Sequence, residues 1–152
     1  MYQTILVPID LNHKSSYVTI LPAAAEEARY HAATLYVMTV VPDITAGMDW
    51  RYAIRGAKGG SEHYGLPEMM KQARERITAL VKELVPAGFE TKVLAKHGSI
   101  YKEILDVAEE IDADLIFMAA YRPSVKDYLL GSNASRVVRH ARCSVTVVRD
   151  KE

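Results

Sequence analysis

The stretch "TILVPID" (residues 4–10) is a short apolar run, rich in β-branched residues, that ends at Pro8 and Asp10. A strand of this composition is buried on both faces, the condition of a parallel sheet covered by helices above and below. "TLYVMTVV" (34–41), "ADLIFMAA" (113–120) and "CSVTVV" (143–148) read the same way, and "FETKVLAKHG" (89–98) alternates enough to be a half-exposed strand.

Helical spacing fills the intervals between these runs. Residues 15–32 carry Val18, Leu21, Ala25, Ala28 and Ala32 on one face, with Pro22 near the first turns or kinking the helix. Pro67 suits the start of a second helix, striped by Met70, Ala73, Ile77, Leu80, Val81 and Leu84 and stopped by Pro86-Ala-Gly88. Ser99 can cap a third, with Ile104, Val107, Ala108 and Ile111 at i, i+3, i+4, i+7. A loop from Tyr121 to Leu130 leads to the last helix, with Ala134, Val137, Val138 and Ala141 inward. This β-α-β-α-β-α-β-α-β order predicts an α/β protein, a three-layer α/β/α fold around a five-stranded parallel sheet. Its simplest doubly wound strand order is 3-2-1-4-5. The interval from Pro42 to Pro67 has five glycines and no sustained periodicity, so 43–66 is expected to be a flexible insert within a single domain spanning 1–152.

Composition narrows the function. The 152 residues are 49% hydrophobic and 25% charged, with 19 basic against 19 acidic side chains, which lacks the basic surplus of a dedicated nucleic-acid binder. The single cysteine, Cys143, permits no internal disulfide and reads as a buried, inert thiol. No apolar run approaches the roughly 18 to 20 residues of a membrane span, and the amino terminus lacks a leader pattern, so a cytosolic protein is expected. There is no Walker-type loop, no G-x-G-x-x-G after the first strand, no G-x-S-x-G elbow and no metal-spaced histidine pair. His13, His31, His63, His97 and His140 read as surface or loop residues, although His97 ends the third strand beside the ligand edge. Arg136, Arg139 and His140 read as solvated surface.

In a 3-2-1-4-5 sheet the switch point lies between strands 1 and 4, and ligands bind beyond the carboxyl ends of the strands there. The Pro8–Asp10 turn and the loop after Ala120 therefore face each other. Two readings of Asp10 stand: acceptor for ribose hydroxyls or an adenine amine, or helix cap and turn residue. "YLLGSNASRVVRHARCSVTVV" (128–148) poses the same alternative. Gly131, Ser132 and Asn133 either hold a phosphate on free N–H groups and the helix dipole, or simply cap the helix. Lys92 and Lys96 guard one sheet edge, whereas Ser144, Val145, Thr146, Val147 and Val148 leave the other apolar, which implies a homodimer through that strand.

"TILVPID", "LYVMTVV", "HGSIYKEIL", "ADLIFMAA" and above all residues 128–148 resemble the universal stress protein family over essentially the whole chain. The resemblance implies an adenine nucleotide alpha hydrolase-like fold, a cytoplasmic homodimer and a regulatory role in stress endurance. One branch of that family binds ATP through G-x-x-G, nine residues, then G-[ST]; another lacks the pattern and does not bind. Here Gly131-Ser132 keeps the second half, while "AYRP" stands for the paired glycines in a loop one residue shorter, similar to a subgroup with A-S-H-R-P. Carried over, adenine and ribose contacts fall on Pro8, Ile9, Asp10 and Val40, and phosphate contacts on Gly131, Ser132 and Asn133. Ala119 and Arg122 lie at the altered loop, where the Arg122 guanidinium either replaces backbone N–H contacts or fills their space. The expected ligand is ATP with Mg²⁺ on its phosphates. No general base is evident, so at most weak ATPase activity is expected. The alternative is a nucleotide-free family member that binds a protein partner through the Trp50-containing insert.

Overall fold

A computed structural model of the chain describes residues 1–42, 65–119 and 129–149. Five strands, β1 (Thr4–Pro8), β2 (Thr34–Val41), β3 (Thr91–His97), β4 (Leu115–Ala119) and β5 (Ser144–Val148), form one parallel sheet in the order β3-β2-β1-β4-β5. This is the order expected from the sequence. The insert, with Trp50 in it, lies almost wholly outside the described residues, and so does the "AYRP" segment with Arg122.

Strand alternation divides the core into two layers. Ile5 and Val7 of β1, Leu35, Val37 and Val41 of β2, and Leu115 and Phe117 of β4 face one side. There they meet Ile20, Leu21, Ala24 and Ala28 of α2 (Ile20–His31) and Ala73, Ile77 and Leu80 of α3 (Leu66–Leu84). Leu6, Met38, Val40, Ile116 and Met118 face the other side, against Ile104, Val107 and Ala108 of α4 (Ile100–Glu110) and Ala134 and Val137 of α5 (Leu129–His140). Central strands with both faces covered explain why their sequences show no polar alternation.

Three details differ from the helical stripes read off the sequence. The first helix is two pieces, α1 (Ser15–Val18) and α2, separated at Thr19. Pro22 has no N–H for the Val18 carbonyl and its ring crowds that carbonyl, so the break falls one turn before it. Val18 consequently leaves the stripe and is exposed, while Ala32 closes α2 in the left-handed conformation (φ 55°) and is exposed too. In α5, Val138 is 53% exposed rather than inward. That helix also begins at Leu129, two residues before the expected start, so Gly131-Ser132-Asn133 lies inside its first turns.

Helices α4 and α5 are tied together at the carboxyl end of the sheet. Gly98 turns the chain from β3 into α4 at φ 138°, where its N–H donates to the Val41 carbonyl (3.1 Å) and a Cβ would sit 3.2 Å from a Glu103 carboxylate oxygen. Ser99, the residue expected to cap α4, makes no side-chain cap bond. The Asn133 carboxamide oxygen takes that place from α5, accepting the Tyr101 backbone N–H at 3.0 Å. The Arg136 guanidinium lies over the Tyr101 ring, 5.1 Å from its centroid, so this cation packs on the neighbouring helix instead of standing in solvent alone. Asn133→Ala is expected to lower stability by about 1 kcal/mol, the usual cost of a lost N-cap. Urea unfolding checks this, and an unchanged midpoint would show that the inter-helix cap contributes nothing.

Candidate functional site

The ladder between β1 and β4 is closed at one end only. At the amino end the Asp114 carboxylate accepts the backbone N–H groups of Gln3 (2.6 Å) and Thr4 (2.9 Å), and the pairs Ile5↔Leu115 and Leu6↔Ile116 follow. The ladder to β4 ends at Leu6↔Ile116 because Pro8, the next residue of β1 facing β4, has no N–H to donate, whereas β1 stays registered with β2 through Pro8↔Met38. The doubly wound strand order puts its crevice at the carboxyl ends of the two central strands, where the chain reverses its winding. Pro8, Ile9 and Asp10 lie on one side of it, Ala119 ends β4 on the other, and Val40 is near the end of β2. The sequence-derived residues at the strand ends thus share one edge of the sheet. Ile9, Val40 and Ala119 are each buried.

Asp10 is the centre of a closed turn. Its backbone N–H donates to the Ser16 hydroxyl oxygen (3.1 Å), and that hydroxyl donates to the Asp10 carbonyl (2.9 Å). The carbonyl also accepts the His13 backbone N–H at 3.0 Å. One carboxylate oxygen accepts the Asn12 backbone N–H at 2.9 Å, and the other lies 3.0 Å from His13 Nδ1. Both readings of Asp10 meet here, since it organises the turn into α1 and stands at the crevice. Thr39 fastens the turn to β2 by donating its hydroxyl to the Ile9 carbonyl (2.9 Å), and the Ile9 N–H donates to the Met38 carbonyl (2.8 Å).

His13, Ser16 and Thr39 were not singled out as site residues by the sequence. For His13 a signal existed: an aspartate three residues before a histidine in a turn brings carboxylate and imidazole within reach. Ser16 and Thr39 carried no such sign, because their partners are backbone atoms positioned by the fold.

On the far side of the crevice the amino ends of α4 and α5 converge, as the Tyr101–Asn133 bond shows. Gly131 and Ser132 lie in the first turn of α5, whose leading N–H groups have no partner within the helix. The positive ends of two helix dipoles meet at this place. The site so assembled pairs a carboxylate–imidazole corner with a region suited to negative charge.

Other chemistries find little support. Among the described residues, no group of three His, Cys, Asp or Glu side chains is placed to hold a metal, and no helix is long and apolar enough to cross a membrane. Cys143 is half-buried; burial pushes its thiol pKa up, with a smaller push from Asp114. It borders a cleft of about 350 Å³ between the ends of α4 and α5, with Glu109, Asp112, His140 and Arg142. That cleft lies at the amino end of the sheet, away from Asp10, because its Asp112–Ala113 and Arg142–Cys143 segments lead into β4 and β5.

The geometry has counterparts. The chain is 30% identical to universal stress protein G of Escherichia coli O157:H7, over 98% of this chain and all of that one. A universal stress protein from Archaeoglobus fulgidus in complex with dAMP superimposes with a TM-score of 0.62 at 22% identity, covering 96% of this chain and 97% of that one. A universal stress protein in complex with cAMP gives 0.60 at 20% identity, covering 99% and 98%. The family model "Universal stress protein family" matches residues 1–149. The parallel 3-2-1-4-5 sheet, the crevice between its central strands and a match over almost the full length agree, and the chain belongs to the universal stress protein family.

Proposed function

We propose that this chain is a cytosolic, ATP-binding homodimer with a regulatory role in the stress response. The observation that carries the reading is the placement of Asp10 and the converging amino ends of α4 and α5 at the switch point of the 3-2-1-4-5 sheet. Hydrogen-bond donors of an adenine nucleoside, its ribose hydroxyls and exocyclic amine, suit the acidic corner. The phosphates suit the start of α5, where Gly131 allows close approach of the backbone and Ser132 and Asn133 follow. The complexes of two structural neighbours with cAMP and with dAMP support the ligand class. Mg²⁺ enters with the phosphates, keeping mostly phosphate oxygens and water as ligands.

The dimer is supported by the second sheet edge. Among the described residues strand β5 pairs only with β4, and Val147 (37% exposed) and Val138 (53% exposed) leave apolar side chains uncovered on β5 and on the helix before it. An open apolar edge is an invitation to pair with a second strand.

Titration calorimetry of nucleotide-stripped protein with ATP and Mg²⁺ is expected to give saturable binding near one ATP per chain. Asp10→Ala, checked for folding by circular dichroism, is expected to abolish it. Absence of heat from the folded wild-type protein would overturn the nucleotide reading and favour a protein-interaction module. Val147→Glu is expected to convert the dimer to monomer in light scattering, and a dimer that persists would remove β5 from the interface.

A further inference from the structure

At the amino end of the sheet, away from the nucleotide crevice, the carboxyl ends of α4 and α5 frame the cleft of about 350 Å³ that Cys143 borders. Its volume is that of a small-molecule site, and its lining combines apolar surface from Leu105, Ala108 and Ala141 with ionisable side chains around it. The charges are arranged against the helix that carries them. A helix carboxyl end bears partial negative charge and favours cations. Helix α4 nevertheless ends in Glu109 and Glu110, with Asp112 two residues on, and has no basic residue in its last turn. Glu110 pairs with Lys96 of β3 at 3.7 Å, but Glu109 and Asp112 line the cleft. Glu109 lies 3.7 Å from Arg142 Nε in a pair whose side chains are 60% and 86% exposed, so water screens it and it contributes little. The Asp112 side chain has no hydrogen-bond or ion-pair partner among the described residues. Beside them, the Asp114 carboxylate adds to burial in favouring the uncharged form of the Cys143 thiol.

We propose that this cleft is a binding site, separate from the nucleotide crevice, for a small organic amine whose ammonium group meets Glu109 and Asp112 and whose short aliphatic chain covers Ala108 and Ala141. The ammonium is the counter-charge that two carboxylates and two helix ends lack, and it takes the place of the weak pair with Arg142. An anion would meet like charge. A bare metal ion fits less well, because no three His, Cys, Asp or Glu side chains converge to hold one among the described residues and the apolar lining would stay uncovered. The inference does not depend on the nucleotide reading.

Cys143 is the chain's single cysteine, so a cap on its thiol reports on this cleft and nowhere else. Folded protein is equilibrated with the symmetrical disulfide and the free thiol of 2-aminoethanethiol, of 2-mercaptoethanol and of 3-mercaptopropionate in turn. Exchange leaves one cap on Cys143 as a mixed disulfide and releases one cap as its thiol, and intact mass gives the capped fraction. Relative to a short peptide carrying one cysteine, the ammonium cap is expected to be favoured over the hydroxyl cap by about fivefold, and the carboxylate cap disfavoured. Free butane-1,4-diamine is expected to compete the excess away, and Glu109→Gln with Asp112→Asn to remove it. The same two substitutions are expected to raise the melting temperature of the unliganded protein, because they take like charge from a helix end. Asparagine suits position 112, where the backbone is left-handed (φ 57°), and Asp112→Asn alone serves if the double variant does not fold. A lower melting temperature with the cap preference intact would make the carboxylates structural and overturn the proposal. Caps that follow the peptide reference, or no capping by any of the three reagents, would overturn it as well.

Discussion

Strand β1 has no face and no edge left for water. Ile5, Leu6 and Val7 are fully buried, β2 and β4 flank the strand, and every neighbouring layer is arranged around that constraint. A strand that lies in the middle of a parallel sheet must be covered on both faces, so helices have to cross above and below. Right-handed crossovers then wind in opposite senses on either side of it. The reversal of winding beside β1 obliges the connections after β1 and β4 to leave toward opposite faces. The crevice at the end of β1 is thus a consequence of how the core is closed, and the candidate site needs no element of its own.

The two sides of that crevice are built by different means. On the β1 side, a turn of seven residues from Asp10 to Ser16 is held by side chain to backbone bonds that stay local. On the other side, order comes from distance: Asn133 of α5 caps α4, thirty-two residues away in sequence. The first kind of arrangement forms with the chain's own short loops. The second exists only once β3 and β4 have paired into the sheet and brought their following helices side by side.

Much of the fold was legible because burial on both faces and helical periodicity leave strong marks. The strand runs, the 3-2-1-4-5 order, the stripe Ala73, Ile77, Leu80 and the stripe Ile104, Val107, Ala108 all follow from spacing alone. Val18, Ala32 and Val138 went astray where spacing is a poor guide. Pro22, three residues on, breaks the helical phase at Thr19, a left-handed cap ends α2, and Val138 of α5 faces outward. Pro8, Ile9, Asp10, Val40 and Ala119 were named because the family resemblance and the ends of the strand runs point to them. His13 and Thr39 were not, since a turn histidine and a strand threonine look ordinary until their partners are known.

The sequence by itself determined which segments are strands, which are helices and at which end of the sheet the switch point lies, because those properties follow from the period of apolar residues and from the handedness of crossovers. Only the tertiary structure decided that Asn133 rather than Ser99 serves α4 and that the Asp10 carboxylate lies beneath an imidazole. Each of these is a contact whose partner is chosen by three-dimensional proximity, and no local pattern of residues encodes the neighbour that folding supplies.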